Sequence, residues 1–392
     1  MNYILFDGTS HINLLPLTYT KPVADIRIGI LTIREKWEKR LETTTTTLTE
    51  DYLQGKYPMV EMEENVMINA SFIPNEGLVD IIMNLKENQM VFKDDEIIAF
   101  FTKDTQEEID FDSYESISYE ESVIQLKQTW DIFKYNGEAI IADYDLITKG
   151  RKSAPIPDSI HCINKEQIFL EEGVEIETGV LNAKNGPIYL GKNTEIMEGS
   201  MIRGPFAMGE YSVVKMGAKI YGATSLGPKC KIGGEVNNAV LSGYCSKGHE
   251  GYLGNAVIGE WCNLGADTNN SNLKNNYAEV RMWDYEKQGF QKTGLQFCGL
   301  VMGDHSKSGI NVMFNTGTVI GIFSNIYGSN FPRNFIPSFS WGGAAGFTTY
   351  QMNKVKETAS LVMNRKNEDF TAEDEKILDH VFEITKKFRT FK

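Results

Sequence analysis

From Leu190 to Ile232 an aliphatic residue or methionine stands at every sixth position: Leu190, Ile196, Ile202, Met208, Val214, Ile220, Leu226 and Ile232. Glycine recurs at three times that interval, at Gly173, Gly191, Gly209 and Gly227, again at Gly199 and Gly217, and later at Gly303 and Gly321. An α-helix cannot carry this pattern, because its turn of about 3.6 residues does not divide six. A coil with three flat sides can, with one inward aliphatic side chain per side and glycine relieving particular corners. The sequence therefore predicts a hexapeptide-repeat parallel β-helix. The rhythm returns at Ile258-Gly259 and Leu264-Gly265, breaks, and resumes at Met302-Gly303. We place the β-helix at residues 161–345, with an inserted loop at 267–297 emerging on one face, as solenoid insertions do.

The flanking segments are built differently. Residues 1–150 mix short apolar runs (YILF, IIAFF, EAIIADYDLI) with helix-like stretches such as DIRIGILTIREKWEKRL, the pattern of a small α/β domain. The β-branched run Thr43 to Thr47 reads as a strand or edge loop. The acidic stretch from Asp94 to Glu121 reads as a solvated face. Small, basic and proline residues gather in TKGRKSAPIPDSI, which sets a linker at 151–160. The tail, 346–392, is helical, with Thr371 and Asp374 in capping-box positions ahead of an apolar stripe. These helices are expected to cap the open end of the coil.

The chain has 392 residues and a net charge of -14. That balance argues against nucleic-acid or anionic-membrane partners, which require a basic face. The opening MNYILFDG is too short an apolar run for a signal peptide, and no later run approaches a membrane span, so a cytoplasmic protein is expected. Five cysteines without C-x-x-C spacing read as buried free thiols.

Polar residues that break a β-helix rhythm carry chemical information. The densest break is SGYCSKGHEGYLGNAVIGEWCNLGADTNNSNLKNNY, from Ser242 to Tyr277. It places His249 between glycines and follows it with Tyr252, Asn263, Asn269, Asn270, Asn272 and Lys274. Histidine suits proton abstraction near neutral pH, and the surrounding hydroxyl, amide and amine donors suit a sugar phosphate. A zinc-dependent β-helix enzyme is a poorer fit. It needs three histidines on neighbouring coils, and of His11, His161, His249, His305 and His380 only two lie well inside the repeat.

HEGYLGNAVIGEWCNLGADTNNSN resembles the active-site segment of the bifunctional UDP-N-acetylglucosamine diphosphorylase/glucosamine-1-phosphate N-acetyltransferase family, as a divergent bacterial branch. The resemblance extends through GDHSKSGINVMFNTGTVIG and FPRNFIPSFSWGG and is weaker before residue 150. It implies a left-handed parallel β-helix, a homotrimer, and acetyl transfer from acetyl-CoA to the amine of glucosamine-1-phosphate. By the same resemblance His249 is the base, and Tyr252, Asn263, Asn272 and Lys274 hold the sugar phosphate. Ala266, Ser306 and Lys307 are then the candidates for coenzyme A. The family's two further basic residues lack clear equivalents; Lys247, Arg281 and Arg333 could substitute.

The N-terminal FDGTSHINLLPLTYTKP resembles a sugar nucleotidyltransferase opening. Gly8 and Thr9 stand for its phosphate loop, Lys21 for its sugar-phosphate lysine, and Arg27 for a supporting cation, which implies UTP and magnesium as partners. The second glycine and the arginine of the loop are missing, and Asp7 brings a negative charge towards the phosphates. His11 lies near the arginine's place. Ser71 stands where the family has a magnesium-binding aspartate, and a hydroxyl cannot replace a carboxylate for that metal; Asp131 is a distant alternative. Two readings follow for residues 1–150: a working nucleotidyltransferase, or a degenerate domain in a non-catalytic assembly or sensing subunit.

Overall fold

The computed structural model describes residues 1–103 and 110–391. Part of the acidic Asp94–Glu121 stretch, residues 104–109, lies outside the described residues.

The first 150 residues form a mixed sheet in the order β2-β1-β3-β5-β4-β6: β1 Asn2–Phe6, β2 Thr46–Leu48, β3 Asn65–Asn69, β4 Gln89–Lys93, β5 Glu96–Thr102 and β6 Glu115–Ser118. Both faces of β1 are apolar. Tyr3 and Leu5 point into the main core, while Ile4 joins Met67 and Phe100 on the other side. Of the helix-like DIRIGILTIREKWEKRL only Ile33–Leu41 is helical, started by a capping box between Thr32 and Glu35. The apolar run EAIIADYDLI is no strand. It belongs to the helix Thr129–Thr148, whose buried residues face the solenoid.

The repeat builds a parallel β-solenoid. Leu190, Met208, Leu226, Leu241, Ile258, Met302, Ile320 and Ile336 stack rung on rung in its interior. Every one of the eight sixth-position residues is buried at 2% exposure or less. The rhythm fades after Ile232 because the coils shorten. Equivalent positions lie 18 residues apart from Leu190 to Leu226, then 15 to Leu241 and 17 to Ile258. In the two short coils one strand runs through what is elsewhere a corner, Glu235–Leu241 and Tyr252–Ile258, bending at Asn238 (φ 51°) and Asn255 (φ 47°). Asparagine tolerates the left-handed conformation there.

One solenoid face is apolar outward as well as inward. Val240, Val257, Val301 and Val319 form an outward column that belongs to the same core cluster as Trp37, Ile132 and Phe133. A sheet covered on both sides reads as a continuous apolar run, and the strands do: AVL, AVI, LVM and TVI. The α/β unit therefore lies flat against the solenoid in one continuous core instead of hanging from a linker. The insertion 267–297 contributes a hairpin, Arg281–Asp284 with Gly289–Lys292, whose Met282 and Tyr285 bury in that core.

The C-terminal helices, Met352–Asn364 and Ala372–Ile384, do not cover the end of the coil. The antiparallel hairpin Ser340–Gly343 with Gly346–Thr349 pairs with the last rung instead. The helices run back along the flank, where Lys229 pairs with Glu368, Lys56 with Asp374, and Tyr52 stacks on His380 at 4.3 Å. What draws them there is a corner column of left-handed aromatic residues, Tyr244, Trp261, His305, Phe323 and Phe339, which stack on one another, with Phe382 meeting Phe339 edge-on. Thr371 and Asp374 form the expected capping box at the start of the Ala372–Ile384 helix. Among the described residues no helix is long and apolar enough to cross a membrane.

Candidate active site

His249 and Ala266 occupy the same corner on successive coils. Inward residues Ile232, Lys247 and Leu264 are ladder neighbours, and each corner residue follows two positions later. Asn263 projects outward from the face leading into this corner, between Ser246 and Lys307 in the ladder. Tyr252 begins the face leading out of it. The turn between them is glycine-flanked because it must be. Gly251 sits at φ 114°, and a Cβ there would lie 2.3 Å from the Thr268 carbonyl oxygen. His249 is exposed, and its imidazole makes no hydrogen bond among the described residues, so both nitrogens are available to a substrate.

Around the outgoing face, asparagines fix the tyrosine. Tyr252 N donates to Asn269 Oδ1 at 2.7 Å, and Asn272 Nδ2 donates to Tyr252 Oη at 2.9 Å and to Asn255 Oδ1 at 2.7 Å. The phenol ring folds down over Gly254, where a Cβ would stand 2.3 Å from the hydroxyl. Burial pushes the Tyr252 hydroxyl's pKa up, so it remains a protonated donor. Asn255 and Gly254 were missed as site residues. Their signal was present: Asn255 follows Asn238 by one coil of 17 residues, in register with the asparagine bend.

The other expected residues make bonds within the chain. Ser306 points into the solenoid, donating to Gly321 O at 2.6 Å and accepting from Ser324 N at 2.9 Å, so it offers nothing to coenzyme A. It continues an interior column with Ser212, Cys230, Cys245 and Cys262, in which Ser212, Cys245 and Cys262 bond the corner carbonyls and Cys230 N donates to Ser212 Oγ. Lys307 donates to His305 O at 3.0 Å, and burial lowers its pKa. Lys274 donates to Glu279 O at 2.7 Å inside the insertion. The Ala266 carbonyl accepts from Asn311 N at 2.9 Å. Of the three substitute cations, Arg281 bonds Phe290 O in the hairpin and Arg333 is exposed beside Phe335 and Phe388. Lys247 is inside the coil, not on its surface.

The N-terminal motif is reorganised. Gly8 and Thr9 are exposed, Gly8 at φ 51°. Asp7 faces inward, accepting from Val23 N at 2.9 Å, Thr49 Oγ1 at 2.5 Å and His11 Nδ1 at 3.0 Å, so it knits the loop together instead of confronting a phosphate. Lys21 is 4% exposed and crosses to the solenoid, 2.7 Å from Glu260 and 3.0 Å from Asp304. Burial alone would push its amine down; the two carboxylates outweigh that and hold it up. Arg27 Nε likewise donates to Ser242 O at 3.0 Å. Ser71 Oγ donates to Asn69 Oδ1 at 2.8 Å, and Asp131 caps the Thr129–Thr148 helix by accepting from Lys127 N and Gln128 N. These two positions do not fit a magnesium site. Among the described residues no three His, Cys, Asp or Glu side chains gather as metal ligands.

Residues 3–152 match the family model described as "Sugar nucleotidyl transferase". A Sulfurisphaera tokodaii protein named bifunctional sugar-1-phosphate nucleotidylyltransferase/acetyltransferase is 29% identical over 213 residues, 54% of this chain and 46% of its own. The putative uncharacterized acetyltransferase YaiX of Escherichia coli K12 is 27% identical over 153 residues, 38% of this chain and 66% of its own. The bifunctional protein GlmU of Methanocaldococcus jannaschii is 31% identical over 87 residues, 22% of this chain and 21% of its own. The chain thus spans about half the length of the S. tokodaii relative and less than two thirds of the others. It matches the sugar nucleotidyl transferase family over residues 3–152, and across 213 residues it is similar to a protein named for both nucleotidyl and acetyl transfer.

Proposed function

We propose that the solenoid transfers the acetyl group of acetyl-CoA to the amine of glucosamine-1-phosphate, or of a related amino-sugar phosphate, in sugar-nucleotide biosynthesis. The observation that carries this is the corner at which an unpartnered, exposed His249 stands beside a tyrosine fixed by Asn272 and Asn269. His249 takes the proton from the amine as its nitrogen attacks the thioester carbonyl, and coenzyme A leaves as the thiol. Tyr252, Asn263 and Asn272 orient the sugar phosphate, so that binding supplies proximity and the imidazole supplies the base. The names of the S. tokodaii and E. coli relatives support acetyl transfer. The reading includes a cytoplasmic homotrimer with the acetyl donor in a groove between neighbouring coils, along Ala266 and Lys307.

The test is acetyl-CoA consumption in the presence of glucosamine-1-phosphate. His249→Ala is expected to abolish it while circular dichroism and melting temperature stay as in the wild type. Undiminished turnover in that variant removes His249 as the base, and an inactive wild type favours a non-catalytic subunit.

Nucleotidyl transfer by residues 3–152 is a second reading, favoured by the family match. With Lys21 and Arg27 committed to the solenoid and no carboxylate at position 71, any such activity rests on the exposed Gly8–Thr9 backbone and on groups outside the expected motif. Pyrophosphate release from UTP, N-acetylglucosamine-1-phosphate and magnesium decides it.

A further inference from the structure

The solenoid interior is aliphatic at one ladder position on successive coils, Ile196, Val214 and Ile232, and again at Leu264. Between Ile232 and Leu264 the same inward position holds Lys247. Its side chain is 2% exposed and ranks among the largest fully buried in the protein. Among the described residues no carboxylate lies within ion-pair distance. Nζ donates at 2.5 Å to a single partner, the main-chain carbonyl of His249. Burial pushes the amine down to about 8; Lys219 adds repulsion, and Glu250 and Asp267 only partly oppose it.

Packing does not call for a lysine here, since aliphatic side chains fill the equivalent place on the coils to either side. Burying an ammonium without a counter-charge is costly. What Lys247 supplies that leucine cannot is a hydrogen bond to the His249 carbonyl itself, in a turn where Gly248 and Gly251 flank the His249–Glu250 pair. We propose that Lys247 is a positioning residue: from inside the solenoid it pins the main chain at His249, and so sets the imidazole for proton abstraction from the amine of an amino-sugar phosphate. The catalytic part of this rests on the acetyl-transfer reading above.

The test uses the full chain and Lys247→Met, whose unbranched apolar side chain suits the aliphatic ladder. Two amides report on the turn, Asp267 N–H on Glu250 O at 2.9 Å and Glu235 N–H on Gly251 O at 3.3 Å. In the variant both are expected to exchange with solvent roughly tenfold faster or more. The kcat for acetyl transfer should fall about tenfold, with the KM for glucosamine-1-phosphate within about twofold, the split expected when orientation is lost but binding is not. In the wild type, a high-resolution crystal structure should show Lys247 Nζ within hydrogen-bond distance of His249 O, a measurement that needs neither turnover nor a folded variant. A structure in which Nζ turns away from that carbonyl, or unchanged exchange in a folded variant, overturns the pinning. Unchanged kcat in a folded variant of an active enzyme overturns its catalytic purpose. A wild type that keeps the contact and a variant that exchanges as expected, with no acetylation of any amino-sugar phosphate, retire the acetyl-transfer reading and leave the pinning standing.

Discussion

Replacing Lys21 by alanine should destabilise the whole protein, not merely weaken phosphate binding. Its ammonium lies 2.7 Å from Glu260 and 3.0 Å from Asp304, with side-chain exposures of 5% for Lys21 and 4% for Asp304. Removing one member of a buried ion pair costs about 3–5 kcal/mol, because the remaining charge stays buried. Glu260 is 32% exposed, so water screens its share and the lower end, ~3 kcal/mol, applies. Since the α/β unit and the solenoid share one core, we expect a single cooperative transition. For 392 residues an unfolding entropy of about 2.1 cal/mol/K per residue converts that loss to a drop of about 4 °C in Tm.

The deficit should depend on pH. Burial already raises the Asp304 carboxyl, and Lys21 is the main influence opposing the rise. In the variant its folded-state pKa goes higher still. The folded state then binds a proton that the unfolded state does not, so the variant regains stability as pH falls. Urea unfolding followed by tryptophan fluorescence at pH 7.5 and pH 5.5 should show a smaller gap from wild type at the lower pH. Adding Asp304→Asn should recover much of the loss at pH 7.5. A Lys21→Ala chain within about 0.5 kcal/mol of wild type at both pH values refutes the reasoning and returns Lys21 to the role of a free ligand.

Gly254→Ala should drive the Tyr252 ring off the strand, because the new Cβ would stand 2.3 Å from the hydroxyl; roughly tenfold loss in kcat/KM for acetyl transfer is expected with less than about 2 kcal/mol of stability lost, and a crystal structure should show the Asn272 contact broken. Val257→Asp places a carboxylate in the outward column buried beneath the α/β unit, and should cost about 3 kcal/mol or more; limited proteolysis between residues 1 and 160 should accelerate with it. Asp7→Ala strands the donors of Val23, Thr49 and His11, a loss of about 2–4 kcal/mol measurable by urea unfolding.

The repeat made the solenoid legible because its cause is local. Every third-turn side must bury one side chain, so Leu190 to Ile232 display the period directly, and the left-handed bends at Asn238 and Asn255 mark where coils shorten. His249, Tyr252, Asn263 and Asn272 could be nominated for a similar reason, since polar groups that interrupt a ladder stand out in the chain. Sequence alone could not tell an outward residue from an inward one once the period drifted. Ser306 and Lys247 both read as surface donors, yet register turns each inward.

What only the tertiary structure decided is the relation between the two halves. The valines at 240, 257, 301 and 319 lie as far as 79 residues apart, and become one surface only when coils stack. That surface seats the α/β unit, and once seated, Lys21 and Arg27 meet Glu260, Asp304 and Ser242, partners more than 200 positions away. Local spacing assigned those cations to a phosphate; long-range packing gave them carboxylates and a carbonyl. The period by itself determined the solenoid and the corner that carries His249, because both follow from near-neighbour geometry, whereas the interface depends on contacts that exist only after the coil has formed.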